Sequence, residues 1–205
     1  ILGSILSGLL GRRTGALLTG LGAGTLAGWL ATSWLLGLGA GVVAWILVGV
    51  MGSATFYKPA DYFAAAPWRT QAGGGPILIN LIHDIHNLRM LCGEIVAVQA
   101  FQSKATRQFE VEDTVAINLS FANGALGTFL LSDTAASAKS WEQTSQENKA
   151  YATYPNEDCY VVMGTNGSLS IPTMRLQLHA KTDEGSWLTP MTSIPIELDR
   201  SDPLK

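Results

Sequence analysis

The chain has 205 residues, a formal net charge of −3 and only 14% charged residues. That length holds one large or two small domains with a proper core, and the charge excludes both the basic footprint of a nucleic-acid binder and an acidic tail. Cys92 and Cys159 lie far apart and form no CxxC pair, so buried thiols are expected and a disulfide or metal site is not.

The low charge comes from one end. Within residues 1–46 only Arg12 and Arg13 are charged, nothing from Thr14 to Tyr57 is, and the first acidic residue is Asp61. Three readings of this segment stand open. Residues 14–51 are long enough for one or two membrane spans, with Gly20, Gly24 and Gly28 as a helix-packing ladder; this would attach an otherwise cytoplasmic protein to a membrane. Gly22-Ala23-Gly24-Thr25-Leu26-Ala27 and Gly39-Ala40-Gly41-Val42-Val43-Ala44 match a dinucleotide-loop variant, as a Rossmann remnant would, although no ribose-binding acid follows either. Leu/Gly/Ala/Trp/Arg-rich sequence without acids is also the product of a GC-rich gene read in the wrong frame.

From Ile46 to Phe56 the run is apolar and partly β-branched, a strand. Residues 57–72 read as a loop punctuated by Pro59 and Pro67. Gly73-Gly74-Gly75 then form a loop whose backbone can approach a ligand or take positive φ, and Pro76 suits a first helical position. Ile77, Leu78, Leu81, Ile82, Ile85 and Leu88 recur at helical spacing, with Asn80, His83, Asp84 and Asn87 on the opposite face. Cys92-Gly93 ends this helix.

Beyond it, Ile95–Phe101 reads as a strand. Asp113–Phe121 alternates apolar and polar residues, and Asn123-Gly124 turns it into Ala125–Leu131. Ala135–Tyr154 is polar and loop-like with room for a short helix. Asp158–Met163 and Ser168–Ile171 form a second hairpin about Asn166-Gly167, and Met174–Ala180 and Ile194–Leu198 complete the set. One long helix with about seven hairpin-connected strands predicts an α+β domain, an antiparallel open-faced sheet with helices on one face.

Trp68-Arg69, the glycine triplet, His83 eight residues after Gly75, and Leu91-Cys92-Gly93-Glu94 together resemble the second domain of the glucose–fructose oxidoreductase/inositol dehydrogenase (Gfo/Idh/MocA) family. Val111-Glu112-Asp113-Thr114 and the hairpin at 122–127 extend the resemblance over roughly 47–205. It implies that residues 47–205 are a substrate and oligomerisation domain cut short at its end, that most of an N-terminal Rossmann domain is missing, and that the open sheet face makes homo-oligomer contacts.

The resemblance also implies NAD(P)-dependent hydride transfer on a sugar, polyol or related hydroxy compound, with NAD or NADP bound weakly or not at all by this chain alone. His83 takes the catalytic position; an imidazole exchanges protons near neutrality, as oxidation of a carbinol requires. The family's aspartate falls on Ile79, leaving Asn80 to hydrogen-bond to substrate or ring. The family's Glu-Lys-Pro lysine has no counterpart, since Lys58 follows Tyr57 and lies too near the glycines; Lys58 is read as a ligand-touching loop residue. Trp68 and Arg69 are expected near cofactor or substrate, Arg69 as an anion clamp, with Gly74 and Gly75 beside the cofactor. Trp141 is expected to be an exposed platform for a sugar ring, and His86 a surface residue. Asp113 is expected to cap a strand or pair with a base. The other reading of the chain is a non-catalytic ligand-binding or oligomerisation module.

Overall fold

The computed structural model describes residues 47–179 and 185–196. The readings of residues 1–46 lie outside these, and of the segment 14–51 only the residues from Leu47 are described, as strand. Among the described residues no helix is long and apolar enough to cross a membrane.

These residues form two compact units, one of residues 50–160, the other holding 47–49 and the described residues from Val161 on. The larger contains β1 (Leu47–Thr55) from Val50 onward, α1 (Ala60–Ala64), a 3-10 turn (Pro67–Thr70), a π-helical turn (Ile77–Leu81) leading into α2 (Ile82–Cys92), β2 (Ile95–Ser103), β3 (Thr114–Phe121), β4 (Leu126–Ser132) and α3 (Trp141–Thr144). Its strands lie in the order β2-β3-β4-β1. The smaller is a run of adjacent strands, β5 (Tyr160–Gly164) from Val161, β6 (Gly167–Ile171), β7 (Arg175–Leu178) and β8 (Thr192–Pro195), in that spatial order, with β6–β7 and β7–β8 antiparallel. The predicted α+β class with a mostly antiparallel sheet holds, with eight strands where about seven were expected.

Period-2 alternation positions the larger unit's sheet. Val115, Ile117, Leu119 and Phe121 of β3 are buried, as are Phe129 and Leu131 of β4. The register pairs Ile117 with Phe129 and Val115 with Leu131, so these side chains share one face. On the other face, Ala116 pairs with both Phe101 and Leu130, and Phe101, Leu126 and Leu130 are exposed. That face is more apolar than alternation alone predicts.

Two expectations change. Residues 57–72 are largely helical: Pro59, extended at φ −73°, precedes α1, and Pro67 opens the 3-10 turn, because a residue with fixed φ and no N–H starts a helix at no cost. The long helix also buries a different stripe. Leu78 and Ile82 are about half exposed, while Leu81, Asp84, Leu88 and Cys92 are buried. The π turn widens the helix over Ile77–Leu81, so a 3.6-residue count carried through it rotates the predicted face off the core. Gly93 stops α2 with φ 96°, and the Asn123 side chain donates to the Cys92 carbonyl at 2.8 Å, tying the helix end to the β3–β4 hairpin.

Candidate functional site

The centre of the site is Asn80, on the π turn. Its Oδ1 accepts a hydrogen bond from Lys58 Nζ at 3.0 Å, and its Nδ2 donates to Glu142 Oε1 at 3.4 Å. An ammonium only donates and a carboxylate only accepts, so these partners fix which way the amide points. Lys58 Nζ also donates to the Tyr62 hydroxyl at 3.1 Å and stands 4.2 Å from the Tyr62 ring centroid. Lys58, Tyr62, Asn80 and Glu142 line a cleft of about 350 Å³, with Tyr57 and Tyr151 exposed at its mouth.

Lys58 reaches this point because β1 delivers it. Past Thr55 the chain stays bonded to the end of β4: Phe56 N–H donates to Ser132 O at 3.0 Å and Lys58 N–H to Asp133 O at 2.9 Å. Glu142 arrives on α3, which is anchored by Thr144 Oγ1 donating to Ser140 O at 2.7 Å.

A buried polar pair accompanies the cleft, and its carboxylate, Asp84, is one that the sequence reading put on the polar face of the helix. The Tyr160 hydroxyl donates to Asp84 Oδ1, and Asn87 Nδ2 donates to the same hydroxyl at 3.4 Å. Desolvation lifts the Asp84 carboxyl to about 7, against the Tyr160 hydrogen bond and with help from the Glu142 charge. Burial likewise drives the Tyr160 phenol upward. Trp141 stacks on Tyr160, with ring centroids 5.8 Å apart and planes at 22°.

The expected site residues divide accordingly. Lys58 and Asn80 meet in the cleft. His83 is exposed on α2 and does not line it; His86 is exposed, as expected. Arg69 Nη1 donates to the Tyr62 carbonyl at 2.6 Å and the guanidinium stacks 3.8 Å from that ring's centroid, while its buried Nε has no partner. Trp68 is exposed. Trp141 is half-buried against Tyr160 and donates to Glu147 at 2.9 Å, in place of the expected free platform. Asp113 accepts the N–H groups of Thr106 and Arg107 and is buried. Sequence reasoning missed Tyr62, Glu142 and the Asp84–Tyr160 pair. Only Asp84, already placed beside His83, carried a signal, and its polarity hid it.

The glycine loop is accounted for by packing. Gly73 and Gly75 have φ of 92° and 82°. A Cβ on Gly74 would lie 2.6 Å from the Trp68 carbonyl oxygen, and one on Gly75 2.7 Å from Glu112 Oε1. Glu112 also accepts the Ile77 N–H at 3.0 Å, and Glu110 the Ala72 N–H at 3.2 Å. Glu112 therefore takes an amide at the helix entrance, and Glu110 one ahead of the glycines. Among the described residues no cluster of His, Cys, Asp and Glu suits a metal ion. Cys92 and Cys159 are free and buried, their thiols pushed up to about 12 by desolvation, hence poor nucleophiles.

The family model for the GFO/IDH/MocA C-terminal domain matches residues 47–170. The chain belongs to the GFO/IDH/MocA family. Solved members of similar fold include an oxidoreductase from Thermotoga maritima, 16% identical with a TM-score of 0.52, the match covering 89% of this chain and 46% of that one. A levoglucosan dehydrogenase in complex with NADH and levoglucosan is 22% identical with a TM-score of 0.50, over 73% of this chain and 40% of its own. The WlbA dehydrogenase from Bordetella pertussis, in complex with NADH and UDP-GlcNAcA, is 24% identical with a TM-score of 0.46, over 60% and 34%. No curated protein matches the chain. The chain thus spans less than half the length of these structures, and the first two, at such identities, establish the fold alone.

Proposed function

We propose that this chain supplies the substrate side of an NAD(P)-dependent oxidoreductase acting on a sugar, polyol or related hydroxy compound. The carrying observation is the Lys58–Asn80–Glu142 chain along the cleft. Two of the three Lys58 ammonium protons are taken by Tyr62 and Asn80, leaving one donor, and Glu142 keeps a second carboxylate oxygen. A hydroxyl group both accepts and donates, so it matches that pair better than a carbonyl, an ammonium or an anion does. Tyr57, Tyr62 and Tyr151 add aromatic surface for the ring or carbon chain.

His83 is the acid/base in this reading. It follows Asn80 by three residues on the same helical segment and is exposed. Family membership supports the role. NAD or NADP is the implied hydride partner, and the described residues contribute substrate shape and the proton. The test is NAD(P)H production by the gene product over a panel of sugars and polyols. His83→Ala is expected to lower kcat by about 10²–10⁴-fold with little change in substrate binding; full activity in that variant refutes the role.

The exposed Phe101, Leu126 and Leu130 support a second reading, in which the open sheet face joins copies of the chain into a homo-oligomer.

A further inference from the structure

Arg107 contributes nothing to the lining of the cleft, yet its side chain converges on the one strand end that does. Its Nε donates to Asp133 Oδ1 at 2.7 Å, and its Nη2 donates to the Lys58 carbonyl at 2.8 Å and to the Asp133 carbonyl. Asp133 in turn takes the Lys58 N–H through its carbonyl at 2.9 Å. Both backbone polar groups of Lys58 are therefore held by this one pair. The pair is buried, with side chains 11% and 6% exposed. Phe63 lies under the guanidinium, 4.5 Å from Cζ to the ring centroid. The arginine's own backbone is pinned by Asp113, which accepts the Arg107 N–H at 2.9 Å and the Thr106 N–H at 3.0 Å.

A buried ion pair of this kind adds little net stability against an apolar replacement, because desolvation offsets most of the attraction. Its geometric content is larger. The guanidinium is a planar fork that bonds a carboxylate and two carbonyls at once, which an ammonium does not reproduce. Lys58 has a flexible four-carbon stem, and its Nζ meets Tyr62 and Asn80 only if its Cα is fixed.

We infer that Arg107, braced by Asp133, is a positioning residue that locks the Lys58 backbone so that its ammonium is presented to Asn80 and the cleft. This rests on the reading of the cleft given above. Arg107→Lys keeps one bond to Asp133 and gives up the fork, so it separates positioning from charge.

The test is the acetylation rate of Lys58 in the full chain, followed by peptide mass spectrometry with Lys149 as internal reference. Arg107→Lys is expected to raise the Lys58 rate roughly threefold to tenfold, the equivalent of losing about one hydrogen bond, with Lys149 unchanged. An unchanged Lys58 rate in a variant that has only lost Tm overturns the inference and leaves Arg107 a structural residue. Should Arg107→Lys fail to fold, Asp133→Asn, which keeps an acceptor for Nε but weakens the pair, is read the same way. Lys58→Met separates the two claims. If it leaves sugar or polyol binding intact, the cleft reading fails whatever the acetylation rates show.

Discussion

The Tyr160 hydroxyl donates to the Asp84 carboxyl inside the larger unit, one residue along α2 from His83. Asp84 is 4% exposed, so the element carrying the candidate acid/base is fastened through a carboxyl that burial holds near neutrality. The stability of that element depends on a proton.

The sign follows from the shift. The Asp84 carboxyl rises from 3.8 in the unfolded chain to about 7 in the folded one, so between those values the folded state binds the extra proton. Stability from this group is full below about pH 4, falls as pH rises, and levels off above about pH 7, by about 4 kcal/mol at most. Asp84→Asn is expected to flatten that slope and to be more stable than the parent at pH 8. Urea unfolding at pH 5, 6, 7 and 8 measures it; parallel slopes in parent and variant would refute it.

Tyr160→Phe keeps the ring that stacks on Trp141 but strips Asp84 of its donor. The expected cost is roughly 1–3 kcal/mol. Because that hydrogen bond lowers the Asp84 carboxyl, its loss also moves the midpoint of the stability slope to higher pH. Carboxyl titration by NMR reads both.

The glycine triplet is expected to respond unevenly. Gly73→Ala meets only its φ of 92°, with nothing near the new Cβ, and should cost about 1–2 kcal/mol. Gly74→Ala drives its Cβ to 2.6 Å from one backbone carbonyl oxygen and 2.7 Å from the next, and should cost more than Gly73→Ala. Equal thermal shifts for the two would contradict the packing role of the loop.

Phe101→Glu tests the open face. If copies join there, the charge should shift the chain toward monomer in sedimentation velocity without lowering Tm, since Phe101 is 73% exposed.

Much of the sheet was legible because alternation and Asn-Gly turns are local signals: the β3–β4 hairpin falls within a residue of its expected bounds. The helix start and its Gly93 stop were legible for the same reason. What failed was phase and partnership. A π turn leaves no mark in a hydrophobic count, so Asp84 was assigned to solvent and Ile82 to the core. Glu142 and Asn80 are 62 residues apart, and Lys58 meets Asn80 only through the path of β1; no spacing rule connects them. Glu112 was read as part of a family motif, and its bond to the Ile77 N–H needs the loop's tertiary position.

The central claim is that Lys58, Asn80 and Glu142 together receive a hydroxyl-bearing substrate. Calorimetric titration of the full chain with a panel of sugars and polyols tests it most directly, repeated for Lys58→Met, Asn80→Ala and Glu142→Gln. At least one compound is predicted to bind, with affinity falling about tenfold to a hundredfold in Lys58→Met, as loss of a charged hydrogen bond requires, and falling also in the other two. Binding that all three substitutions leave unchanged, or no binding by any sugar or polyol, would contradict the account.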